Sequence, residues 1–172
     1  MNKLFFATAL VCLFALGTFA QKSADFSGKW NLDLTKSDLG QQASMIKSQT
    51  VTITQSGTSF KVSTATERNT PPDGAAGGGG GQGRGGMGGG GDQSYTLDGK
   101  EVSTERQTPN GAVTIKTSAA QTGNKVVVTS VFPGPNGDMK STTTYELSGD
   151  GKTLTVTRES TRGSSKSVYT KG

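Results

Sequence analysis

Histidine is absent from this 172-residue chain, and its one cysteine, Cys12, lies in an apolar stretch close to the N-terminus. The rest of the chain therefore cannot carry a disulfide framework, a thiolate metal site or a cysteine nucleophile. It also lacks the commonest general base and the commonest ligand for zinc and copper. Aromatic residues are scarce at 6%, with a single tryptophan, Trp30. Beyond residue 20 there is no long apolar run, and no stretch shows sustained helical periodicity. What remains is glycine, threonine, serine and valine in short alternating segments, the composition of a sheet protein.

The first 20 residues read as a cleaved secretion signal. Met1-Asn2-Lys3 gives a positive start, Leu4 to Leu16 is almost wholly apolar, and Gly17-Thr18-Phe19-Ala20 ends in a small residue. The apolar run is short for a membrane span, and Ala9-Leu10-Val11 before Cys12 is a poor lipidation site. Cleavage is expected near Ala20. No transmembrane segment is then expected, and periplasmic or secreted, bacterial localisation follows from a disulfide-free exported chain. Losing Lys3 lowers the formal net charge of +5 by one. The lysines Lys29, Lys61, Lys116, Lys125 and Lys140 alternate with apolar residues, which places them on an outer sheet face where they discourage edge pairing. Scattered charge of this kind does not point to nucleic acid.

Period-two segments predict strands at 28–34, 49–55, 59–66, 93–98, 100–107, 112–120, 125–132, 139–147, 153–160 and 165–170. The links between them are short and rich in Gly, Asn and Asp, such as Ser56-Gly57, Asp98-Gly99 and Ser148-Gly149-Asp150-Gly151. These residues accept the positive φ of hairpin turns, so the strands are expected to follow one another as an antiparallel meander. Residues 37–47 allow one helical turn or a loop with Met45 and Ile46 tucked in. The segment from Tyr95 to Lys100 echoes Tyr145 to Lys152, which suggests one hairpin design used twice. The fold expected is all-β, a single domain over 21–172.

One segment breaks the pattern. Gly74 to Gly91 holds 13 glycines in 18 residues, with Arg84 and Met87 the only large side chains. A run with maximal backbone entropy and nothing to bury reads as a flexible, disordered loop over 70–92 between the third and fourth strands. Its G-x-G-x-x-G spacings are a product of composition, since the strand-then-helix frame is missing and no Lys-Ser/Thr closes a phosphate loop.

Candidate catalytic groups fail on spacing. Ser44-Met45-Ile46-Lys47 spells Ser-x-x-Lys but lacks its partner motifs. Glu101 and Glu105 share a strand face roughly 13 Å apart, too wide for a glycosidase pair. The loop aspartates supply one acid per turn, against the six to eight oxygens calcium needs. The chain is read as non-catalytic, with no cofactor and no metal.

Phe26-Ser27-Gly28-Lys29-Trp30-Asn31-Leu32 resembles the opening of lipocalins and fatty-acid-binding proteins, in which an aromatic precedes Gly-x-Trp on the first barrel strand. Gly28 to Ser37 is also similar to Gly-x-Trp-x-Leu-x-x-x-Lys-Ser in small secreted bacterial lipocalin-like proteins. The resemblance implies that about ten strands close into an up-and-down barrel, with Gly28, Trp30 and Arg158 as its structural signature. It implies that Trp30 packs across the closed end with an arginine from a late strand over its ring. Arg158 is the candidate, by its alternation with Leu154 and Val156, and Arg162 the second choice. Such a barrel can hold one small molecule. With seven aromatics left after cleavage, its interior must include many Thr and Ser side chains, so a wet or filled interior competes with a lipid pocket. Phe60, Tyr95 and Tyr145 are the lining residues expected, and a small hydrophobic or amphipathic molecule is the partner expected of a monomer. The other reading is a ligand-free envelope or matrix protein acting through its surface and Gly-rich loop.

Overall fold

The computed structural model describes residues 23–69, 91–108, 111–134 and 137–172. The expected secretion signal and residues 70–90 of the Gly-rich loop lie outside them. Ten strands run in chain order: β1 Gly28–Leu32, β2 Ile46–Ser56, β3 Ser59–Arg68, β4 Gln93–Thr96, β5 Asp98–Thr108, β6 Gly111–Thr122, β7 Lys125–Gly134, β8 Gly137–Leu147, β9 Thr153–Ser160 and β10 Gly163–Lys171. One short 3-10 helix, Gly40–Met45, connects β1 to β2. Among the described residues no helix is long and apolar enough to cross a membrane.

All ten strands join one antiparallel sheet in the order β4-β3-β2-β1-β10-β9-β8-β7-β6-β5. The sheet curls into a nearly closed barrel, with the pairing of β1 to β10 joining the two ends of the chain and the seam lying between β4 and β5. The expected strands all form, most with ends a few residues longer. One expected hairpin does not. Asp98-Gly99 was expected to turn β4 back onto β5, yet the two strands lie on opposite sides of the seam. Its local geometry is that of the other turn: Lys100 N–H donates to Asp98 at 3.0 Å as Lys152 N–H does to Asp150 at 3.0 Å. Two further contacts redirect it. Leu97 N–H donates to Thr58 O at 2.8 Å, holding the end of β4 against the β2–β3 turn. The register then shifts between Asp98 and Glu101, so β5 pairs with β6 alone. The echo is one of turn chemistry and not of topology.

Period-two alternation sends one row of each strand inward. Phe26, Trp30, Ile53, Phe60, Val126 and Leu154 are fully buried at one end and form the barrel floor. Phe26 and Tyr145 both meet Phe60 edge-on, with centroids 5.8 and 5.3 Å away. A chain of amides seals this floor. Gln55 accepts from Phe26 N–H at 3.0 Å and donates to Gln121 at 2.7 Å, and Gln121 donates to Ala24 O at 2.7 Å. The buried polar groups are thereby satisfied, and the segment before β1 is tied to the β2–β3 and β6–β7 ends.

The cation over Trp30 is not Arg158. Lys171 Nζ, from the last residue of β10, stands 5.3 Å from the ring centroid, while Arg158 lines the cavity described below. The reason is register: Trp30 lies opposite Lys171, whereas Arg158 lies opposite Ser165, six residues earlier along β10. Gly28 explains its own place in the motif. Its φ is +142°, and an added Cβ would sit 3.2 Å from Lys171 Cε and 3.8 Å from Trp30 Nε1. The indole N–H donates to Phe26 O at 3.0 Å.

Candidate ligand cavity

At the end opposite the floor, the interior opens into a cavity of about 100 Å³. The residues after β1 set its roof. Asp33 accepts from Thr35 Oγ1 at 2.6 Å and pairs with Lys36 at 2.9 Å, and these contacts hold its carboxyl at about 2, well below the usual range. Ser37 Oγ donates to Asp33 O at 2.6 Å and accepts from Val168 N–H at 2.9 Å. Asp38 then bridges Lys166 through the backbone. The Lys36-Ser37 end of the opening motif is thus a strap that fixes the 3-10 turn to β10, bringing Leu39, Gln42 and Ile46 to the cavity. Ile46 is buried as expected, but Met45 is 55% exposed and points away.

The walls come from inward rows of β2, β3, β4, β8, β9 and β10. Val51, Val62 and Val156 give an apolar side, while Gln49, Thr64, Gln93, Ser165 and Ser167 give a polar one. Two of the amides are already oriented. Tyr169 donates to Gln49 Oε1 at 2.6 Å, and Gln49 Nε2 donates to Thr66 at 2.8 Å. Tyr95 donates to Gln93 Oε1 at 2.6 Å. Arg158, half-buried, reaches the same space and has no ion pair among the described residues. Its positive charge opposes the shift of all three tyrosines, Tyr95, Tyr145 and Tyr169, whose phenols are pushed up mainly by burial.

Charge is sorted by face. In the described strands, Glu67, Glu101, Glu105, Asp138, Glu146 and Glu159 all occupy outward rows by their register, and Glu101 and Glu146 pair with Lys116 and Lys125 at 3.4 and 3.2 Å. The inward rows carry Arg68, Arg106, Arg158 and Lys171. No acid occupies an inward row among the described residues, and of these four cations Arg158 alone is not exposed and lines the cavity, so the charge facing the cavity is positive while the outer surface is mixed.

The expected lining residues separate. Tyr145 lines the cavity. Phe60 does not: it is wholly buried in the floor, because its inward position lies at the closed end of β3. Tyr95 is half-buried, packs against the core and orients Gln93 from beside the cavity. Gln49, Tyr169 and the two β10 serines were not foreseen. Alternation marks them as inward, but only the stagger of the strands decides which inward residues share a height.

No model of a known protein family matches the chain, and neither does any curated protein. Solved structures do match. The REP1-NXSQ fatty acid transporter is 18% identical, with 87% of this chain and 98% of that chain covered and a TM-score of 0.52. Secretory abundant heat soluble protein 4 from Ramazzottius varieornatus is 16% identical over 89% of this chain and 99% of that chain, with a TM-score of 0.53. Apo Caenorhabditis elegans lipid binding protein 8 is 15% identical over 86% and 95%, with a TM-score of 0.52. At these identities the likeness is one of fold. The chain has the ten-stranded, nearly closed barrel of the fatty-acid-binding and lipocalin-like proteins.

Proposed function

We propose that this protein is a non-catalytic binding barrel that holds one small molecule with an acidic group in the cavity around Arg158. The observation that carries the reading is a guanidinium inside the barrel with no carboxylate partner among the described residues. A charge drawn partly out of water is costly unless it is paired and hydrogen-bonded. A ligand carboxylate or sulfonate would supply that pairing in the bidentate geometry arginine favours. Tyr145, Tyr169 and the β10 serines surround the same space and offer further hydrogen bonds. Two fold neighbours, a fatty acid transporter and a lipid binding protein, support small-molecule binding as a role for the barrel. Residues 1–20 support an exported site of action, in the periplasm or outside the cell.

Calorimetric titration with benzoate, a compact acid, tests this. Arg158→Gln is expected to weaken binding roughly tenfold or more, the loss of a charge-assisted pair. Equal affinity of the wild type and Arg158→Gln would sink the assignment.

A further inference from the structure

We infer that the ligand is a compact, hydroxylated organic acid and not a long-chain lipid. This rests on the binding role proposed for Arg158 and narrows it by size and by lining chemistry. The cavity of about 100 Å³ has room for a molecule of roughly ten heavy atoms, since a single water takes about 10–15 Å³ on the same scale. Its polar wall is held in place before any ligand docks. Gln49 and Gln93 are held in place by Tyr169 and Tyr95, and Ser165, Ser167 and Thr64 add hydroxyls beside Arg158. Groups fixed before binding lose little freedom when a hydroxylated ligand docks. A hydrocarbon tail against them would leave the remaining N–H groups of the two amides, and the Arg158 guanidinium, without partners.

Beyond the small apolar side formed by Val51, Val62 and Val156, a long tail has no apolar path that does not cross polar wall. The inner face of β6–β8 does carry Ile115, Phe132 and Met139 at the open end. Arg158, however, lies opposite Thr143 on β8, and Met139 is four residues further along, roughly 13 Å. Between them runs a hydroxyl belt in which Ser141 is opposite Ser130 and Ser130 opposite Thr117, the last two hydrogen-bonded at 3.2 Å. A tail anchored at Arg158 would have to desolvate that belt before reaching the apolar band.

The test compares sodium threonate, butyrate and dodecanoate by calorimetry on wild type, Arg158→Gln, Gln49→Leu and Ser167→Ala, each checked for an unchanged circular dichroism spectrum. Threonate is expected to bind at least tenfold more tightly than butyrate, which has the same number of carbons. Gln49→Leu should remove most of that preference, and the milder Ser167→Ala should reduce it. Affinity that climbs about fourfold per methylene from butyrate to dodecanoate would overturn the inference, as would a threonate preference untouched by both polar-wall variants. The two readings fail differently. If Arg158→Gln keeps the threonate preference at full affinity, the hydroxylated class stands and the acid anchor falls. If Arg158→Gln weakens every acid alike while dodecanoate is the tightest, the anchor stands and the compact class falls.

Discussion

At the scale of single residues, the opening motif is a packing device and only indirectly a binding one. Gly28 lets the chain pass under the Lys171 stem, Trp30 fills the floor and caps Phe26 O with its N–H, and Lys171 lies over the ring. Gly28→Ala must place a side chain at φ +142°, a region that costs on the order of 1–3 kcal/mol for a residue other than glycine. The neighbouring Lys171 Cε, at 3.2 Å, is flexible and can give way. Most of the loss is therefore backbone strain, and urea denaturation of Gly28→Ala should show a lower midpoint with an unchanged slope. Lys171→Met keeps the stem and removes the charge, so it should cost under about 1 kcal/mol, the range of an exposed cation–π contact. A larger loss for Lys171→Met than for Gly28→Ala would mean that the charge and not the close approach governs this corner.

At the scale of elements, β5 stands apart. It pairs with β6 only, and its residues 98–107 are all exposed, Val102 at 55%. By contrast β2 and β7 have partners on both sides and bury Val51, Ile53, Val126 and Val128. Amides of β5 should therefore exchange with solvent by local opening, many of them near the unprotected limit, while those of β7 approach the global unfolding free energy. Hydrogen exchange followed by NMR reads this directly, and β5 protection equal to that of β7 would show that something bridges the seam. The long exposed edge is guarded in the manner of natural edges, with Glu101 and Glu105 on one face and Arg106 on the other. This contrast also shows what the sequence made legible. Each strand was visible because apolar and polar residues alternate between glycine turns, a signal local to the chain. That β4 and β5 part company was not visible, because the Asp98-Gly99 turn matches Asp150-Gly151 in its capping and differs only in what holds its flanks. Arg158 was legible as inward-facing but not as a cavity residue, since its height depends on the stagger across β8 to β10 and not on its own neighbours. Lys171, next to the C-terminus, gives no pattern at all until β10 is laid beside β1.

At the scale of the whole molecule, the barrel gathers every tyrosine of the chain into its interior, and this ties its stability to alkaline pH. Tyr95, Tyr145 and Tyr169 are the only three, and burial raises the pKa of each, opposed in part by Arg158. The sign follows from which state releases protons. Below about pH 10, the ordinary phenol value, both folded and unfolded chains hold all three protons, and the contribution of the tyrosines to stability is fully present. Above it the unfolded chain ionises while the folded one resists, so stability falls as pH rises toward the folded values. The slope approaches about 1.4 kcal/mol per pH unit for each tyrosine that remains protonated in the fold. Three such groups together exceed the usual stability of a small domain within a few pH units. Phenolate absorbance followed from pH 9 upward should accordingly show no independent titration near 10, but one steep rise coincident with the loss of sheet circular dichroism. A saturating acidic ligand on Arg158 would remove the charge that favours the phenolates, and should push that coincident transition to higher pH than binding to the folded state alone accounts for. A tyrosine that titrates near pH 10 in the folded protein would place its ring in water, and with it a breach in the wall on which the cavity depends.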